Sequence, residues 1–169
     1  DNLIQIDAGM AAEYLELYGF GGNDTLLGAA GNEQIYGGDG NDSLSAGSTG
    51  GDWLRGGNGA DTLVGGAGDD VLIGGEDDPE VTYGSYGDDR ADQIYGMAGD
   101  DWIEGAWGND LLYGGEGRDT ISGGIGADTL AGQQGGDVLA GGGGSDLIFG
   151  NDGDDVLNGG YAHDRLNGG

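Results

Sequence analysis

An acidic residue returns every nine positions along most of this chain, two places before an aliphatic residue and, almost always, two places after a glycine. The stretch from Gly96 shows the period: GMAGDDWIE, GAWGNDLLY, GGEGRDTIS, GGIGADTLA, GQQGGDVLA, GGGGSDLIF, GNDGDDVLN, GGYAHDRLN. So short a fixed period excludes most globular folds, because every copy must take one local shape and bury its apolar residue against its neighbours. Aligned on the acidic residue, fifteen units begin at residues 19, 28, 37, 46, 56, 65, 74, 96, 105, 114, 123, 132, 141, 150 and 159. Thirteen are nine residues long; the unit at 46 has one residue more and the unit at 74 has thirteen more.

The sixth position of the unit is acidic throughout: Asp24, Glu33, Asp42, Asp52, Asp61, Asp70, Asp92, Asp101, Asp110, Asp119, Asp128, Asp137, Asp146, Asp155 and Asp164. The eighth is Leu or Ile in every unit, from Leu26 to Leu166. Glycine holds the first position in all but the unit at Ala46, and the fourth in all but the units containing Asp92 and Asp164. Glycines at these places permit φ > 0 and let backbone carbonyls crowd together. Positions seven to nine form a very short strand whose middle side chain points inward while its neighbours point out. One aliphatic residue per nine cannot bury a core alone, but stacked copies can. Two units, strand–turn–strand–turn, make one flattened coil, and the coils stack into two parallel sheets. At ~4.8 Å per strand, seven to eight coils give a rod about 35–40 Å long.

Charge sets the second constraint. Acidic residues number 32 against four arginines and no lysine, a net charge of -28, and there are 45 glycines. Self-repulsion and backbone entropy oppose a compact state, so the order must come from something that removes the charge, and divalent cations fit. The balance excludes nucleic acid and anionic membranes as partners. There is no cysteine, hence no disulfide framework or thiolate site, and no apolar run of membrane-spanning length. No secretory signal opens the chain, whose first residues read as the start of a fragment or processed domain.

The pattern G-G-x-G-x-D-x-U-x, with U aliphatic, resembles the RTX (repeats-in-toxin, haemolysin-type) calcium-binding family over residues 19–169. The resemblance implies an all-β, right-handed parallel β-roll (a β-solenoid), with Ca²⁺ between neighbouring turns on each edge. It implies ligands from the sixth-position carboxylates, Glu33 set apart, and from main-chain carbonyls of turns such as Gly37–Gly40, Gly56–Gly59, Gly65–Gly68 and Gly114–Gly117. Fifteen turns place eight on one edge and seven on the other, leaving room for at most thirteen ions, which would bring -28 to about -2. All-oxygen ligation suits Ca²⁺ better than Mg²⁺, which demands tighter octahedral geometry. Some sites should be empty or irregular. Glu33 is one methylene too long, Arg90 and Ala162 replace fourth-position glycines, and the turn around Ser48–Thr49 has an extra residue.

Residues 1–18 keep part of the rhythm, with Leu17 at an eighth position and Leu3, Ile4 and Ile6 forming an opening strand; they read as an N-terminal cap or degenerate first coil. No capping segment follows Gly168-Gly169, so the array is expected to continue or to have been cut there. The insertion Glu76–Arg90 reads as a solvated loop, the alternative being a further ion site or a partner contact. Outward positions are unusually apolar: Leu27, Val64, Tyr95, Leu111, Tyr113, Leu147 and Phe149 on one sheet; Tyr36, Trp53, Val71, Ile73, Trp102 and Val138 on the other. They favour self-association or packing against another domain as readily as they reflect strand propensity. His163 stands alone as a surface turn residue, and no catalytic triad, zinc motif, phosphate loop or EF-hand spacing is present. Ice binding, known for some similar rolls, is disfavoured because position three is never Thr.

The expected function is therefore non-enzymatic. The chain is a calcium-binding structural module of a secreted or cell-surface bacterial protein, folding on Ca²⁺ outside the cell. Similar proteins are exported by type I systems. The alternative is the C-terminal folding module of an extracellular protease, lipase or epimerase.

Overall fold

The computed structural model describes residues 1–5, 15–75 and 91–169. Among them are seventeen strands and no helix. Successive strands fall alternately into two sheets, so that the first sheet runs from Leu3–Gln5 to Arg165–Asn167 with nine strands. The second runs from Leu15–Gly21 to Val156–Tyr161 with eight. All pairings are parallel, and in regular stretches the partner lies eighteen residues away: Leu112 faces Leu130, and Leu130 faces Ile148. This is a β-solenoid of about eight turns, the architecture that the nine-residue period demands.

The core is a single file of eighth-position residues. Leu26, Ile35, Leu54, Leu63, Leu72, Ile94, Ile103, Leu112, Leu130, Leu139 and Ile148 are wholly inaccessible. Side-chain alternation puts them inside and leaves positions seven and nine outside. The file weakens toward the last coils, where Leu157 is half-buried and Leu166 is exposed. At the other end Ile4 pairs with Leu26, and Leu17, 5% exposed, joins the core. Residues 1–5 thus sit at the fifth to ninth positions of a unit; Ile6 lies outside the described residues.

Two irregularities interrupt the period without interrupting the stack. The insertion, residues 76–90 with Arg90, lies outside the described residues, yet the coils before and after it pair in register, Leu63 with Ile94 and Leu72 with Ile103. The strand leading into the unit at Ala46 stops at Ser43–Ser45, and the extra residue is absorbed by two bonds to the preceding coil. Ser48 N–H donates to Ala29 O at 3.0 Å, and Thr49 O accepts from Gly31 N–H at 2.9 Å. The distortion expected around Ser48–Thr49 is present as this shortened strand.

The outward apolar residues occupy the two sheets as the odd and even units dictate. On the second sheet Trp53, Val71 and Trp102 are neighbours in one row, the tryptophans 42% and 52% exposed. Tyr18 and Tyr36 stack beside them at 4.9 Å, and on the first sheet Tyr95 and Tyr113 stack at 5.3 Å. Among the described residues no helix is long and apolar enough to cross a membrane.

Candidate metal centre

Each sixth-position carboxylate opens a strand, so the stacking that aligns the core also aligns the carboxylates. They form two files. One edge carries Asp24, Asp42, Asp61, Asp92, Asp110, Asp128, Asp146 and Asp164; the other carries Glu33, Asp52, Asp70, Asp101, Asp119, Asp137 and Asp155. Within each file the backbone N–H of one member donates to Oδ1 of the next coil's aspartate at 2.7–3.0 Å, through seven consecutive bonds on the first edge and six on the second. The file on the first edge is prolonged by Asn2, whose N–H donates to Asp24 Oδ1.

The second oxygen behaves differently. Oδ2 of Asp42, Asp70, Asp101, Asp119, Asp128 and Asp137, among others, is buried with no protein group bonded to it. A buried carboxylate oxygen without a partner is costly, and burial of the charge itself more so. The titration of these groups reflects that cost. Burial pushes Asp70 and Asp119 up to about 7 and Asp101 and Asp128 up to about 6, and nearby carboxylates add to the rise. Asp42, Asp52 and Asp137 are raised by the same cause. Positive charge placed beside these carboxylates would offset the cost of ionising them.

The glycines explain what space is left for that charge. At the first position of the unit at Gly123, an added Cβ would lie 2.5 Å from Asp128 Oδ2 and 2.6 Å from Gly141 O of the next coil. Gly37, Gly56, Gly65 and Gly114 stand in the same relation to Asp42, Asp61, Asp70 and Asp119. Only glycine lets this carboxylate oxygen and this carbonyl oxygen approach the backbone together. At the fourth position Gly40, Gly59, Gly68 and Gly117 take φ values of 130°, 131°, 130° and 134°, which bring Cα of one coil onto a carbonyl oxygen of the coil before. Among the described residues no three acidic or histidine side chains converge on one point. An ion held between turns would therefore draw on one or two carboxylates and on main-chain carbonyls, an all-oxygen set suited to Ca²⁺.

A family model, the RTX calcium-binding nonapeptide repeat in four copies, matches residues 18–48, 46–79, 86–121, 104–139, 113–148 and 140–169. The chain belongs to the RTX calcium-binding nonapeptide repeat family. No curated protein matches it. The RTX repeats make this a calcium-binding β-roll, a structural rather than a catalytic fold, and the unsatisfied carboxylate oxygens fit that ion.

The irregular RTX units differ in kind. Glu33 is buried, and its carboxyl reaches toward Asp52; burial first, and then the Asp52 charge, push it up to about 7. Its neighbour toward the N-terminus is Leu15, so among the described residues no carboxylate stands at that rung. Ala46 brings a methyl to the first position, where the other units have none. Ala162 takes φ 83°, keeping the left-handed course of the glycine it replaces. Asp155 and Asp164, in the last coils, are only half-buried.

The nine-residue pattern missed a second file. Fifth-position Asn and Asp side chains accept from the next coil in the opposite sense: Asn41 N–H to Asn23 Oδ1 at 3.0 Å, Arg118 N–H to Asp100 Oδ1 at 2.8 Å, Ala127 N–H to Asn109 Oδ1 at 2.7 Å. The recurrence of Asn and Asp immediately before the ladder aspartate was the signal. Their role emerges only when coils are stacked.

Proposed function

We propose that this module folds by binding a ladder of Ca²⁺ ions outside the cell, as part of a secreted or surface-exposed bacterial protein. What carries the reading is the column of carboxylates, with buried and unpartnered oxygens at Asp42, Asp52, Asp70, Asp101, Asp119, Asp128 and Asp137, beside glycine-bounded carbonyls. In it Asp24, Asp42, Asp52, Asp61, Asp70, Asp92, Asp101, Asp110, Asp119, Asp128, Asp137, Asp146, Asp155 and Asp164 supply carboxylates. Glycines at the first and fourth positions supply the carbonyl crowd. Up to thirteen same-edge gaps are available, and those next to Glu33 and Ala46 bind weakly or stay empty. Because calcium neutralises the ladder only in the stacked state, its binding free energy becomes folding free energy. The apolar rows around Trp53 and Trp102 pack against a second copy or an adjoining domain.

The test is a Ca²⁺ titration of chelated protein followed by far-ultraviolet circular dichroism and light scattering, with Mg²⁺ as comparison. A cooperative gain of β signal with Ca²⁺ alone is expected, with scattering rising as rods associate. A β spectrum indifferent to chelator would remove calcium-driven folding. Constant scattering would remove self-association while leaving the folding mechanism intact.

A further inference from the structure

The outward face of the first sheet carries a depression that the carboxylate ladder does not use. It has a volume of about 440 Å³, is shallow and largely open to solvent, and is lined by Tyr113, Ala131, Gln133, Gln134, Asn151 and Asp152. Ligand pockets commonly fall between about 300 and 1,000 Å³. Three observations give this one a chemistry.

The first is a ring with one open face. Tyr95, Tyr113, Ala131 and Phe149 follow one another in register along the ninth-position row. Tyr113 is stacked on Tyr95 at 5.3 Å with the rings 9° from parallel. On its other side the row continues with Ala131, whose methyl is too small to cover a phenol ring and forms the floor of the depression. The second is the rim. Gln133 and Asn151 adopt φ values of 81° and 73°, where the corresponding residues Gly66 and Gly115 are glycines. Left-handed backbone at a non-glycine residue costs of order 1 kcal/mol, a cost the stack also imposes at the same unit position on Phe20, Met97 and Ala106. Here two primary amides line the same hollow, that of Asn151 with its Nδ2 also donating to Phe149 O at 3.5 Å. The third is charge: Asp152 on the rim and a chain carrying -28 repel an anionic ligand.

We infer that this depression binds a neutral hexopyranose, as a free sugar or as a terminal residue of a glycan. An aromatic face receives the apolar C–H side of a sugar ring. The amides of Gln133, Gln134 and Asn151, each donor and acceptor at once, match hydroxyl groups, which are also both. A cation would use Tyr113 and Asp152 but leave the amide donors opposed to it. An apolar ligand would strip water from four polar side chains without compensation.

The test uses the isotopically labelled full chain, first shown by circular dichroism to be folded in Ca²⁺. It is titrated with the methyl glycosides of glucose, galactose, mannose and N-acetylglucosamine, with glucuronate and choline as comparison probes. Saturable amide shifts confined to Tyr113, Ala131, Gln133, Gln134, Asn151 and Asp152 are expected for at least one glycoside, with Kd of about 1–10 mM for a single small ring. Gln133→Gly should weaken that binding about tenfold or more while the melting temperature holds or rises, since glycine is at ease at this φ. Tyr113→Ala should abolish it. Absence of saturable shifts with all four glycosides would overturn the inference. So would tighter binding of glucuronate or choline, or undiminished affinity in Gln133→Gly. A longer oligosaccharide binding tighter than its methyl glycoside would identify a glycan as the source.

Discussion

Replacing Asp119 with Asn should change the stability of the roll in opposite directions with and without calcium. The substitution keeps Oδ1, which accepts the Asp101 N–H at 3.0 Å, and keeps the Asp119 N–H that donates to Asp137 Oδ1 at 2.9 Å. It removes only the charge and turns the unpartnered oxygen into an amide. Burial raises this carboxyl from 3.8 to about 7. An acid raised in the folded state contributes instability that grows as pH climbs from the unfolded value to the folded one, and is complete above about 7. At ~1.4 kcal/mol per unit, ionised Asp119 opposes the metal-free roll by roughly 4 kcal/mol at pH 8. In chelator, Asp119→Asn is therefore expected to shift the onset of β signal on acidification to higher pH. In saturating Ca²⁺ the sign reverses, because an anionic donor is lost from the gaps on both sides. An ion at a hundredfold excess over its Kd contributes about 2.7 kcal/mol, so the loss is about 3–5 kcal/mol and the melting temperature falls by roughly 10 °C. Circular dichroism on one pair of proteins reads both arms. Shifts of the same sign in chelator and in calcium would refute the reasoning, since a purely steric or packing effect does not depend on the ion.

Three further outcomes follow from the same geometry. Calcium affinity should fall as pH drops through the range 7 to 6, where Asp70, Asp119, Asp101 and Asp128 take up protons that compete with the ion; calorimetry at pH 8 and pH 5.5 checks this. Gly123→Ala places a Cβ 2.6 Å from Gly141 O and should cost about 1–3 kcal/mol. Gly143→Ala, whose nearest atom would lie 4.0 Å away, should be neutral or slightly stabilising, so equal melting temperatures for the two would contradict the packing argument. Leu112→Ala, wholly buried, should lose about 2–5 kcal/mol in chemical denaturation, whereas Leu166→Ala, 47% exposed, should lose far less.

Much of the architecture is legible because a repeat of period nine leaves few choices. Once Leu112 and Leu130 are taken as inward, side-chain alternation fixes Leu111 and Tyr113 as outward, and the parity of the unit assigns Trp53, Val71 and Trp102 to the opposite sheet. The candidate site is legible only as a column of residue types. The split of aspartates such as Asp119 and Asp128 into one bonded and one unbonded oxygen depends on a neighbour eighteen residues away, which no local pattern contains. The reversed ladder through Asn23, Asn41 and Asp100 is hidden for the same reason. The strained course at Met97, Gln133 and Asn151 was also out of reach, because the pattern assigns left-handed backbone to glycine alone. At those positions the stack imposes the conformation and the side chain bears it.

The bond from Asp61 N–H to Asp92 Oδ1, at 2.7 Å, spans thirty-one residues, and the bond from Asp110 to Asp128 spans eighteen, yet both occupy one rung. The stack counts coils, not residues. A turn on its edge is thus a port at which sequence can enter and leave without any rung above or below being renumbered. Rods of this kind can lengthen by whole coils and acquire appendages at their edges as separate evolutionary events, each invisible to the other.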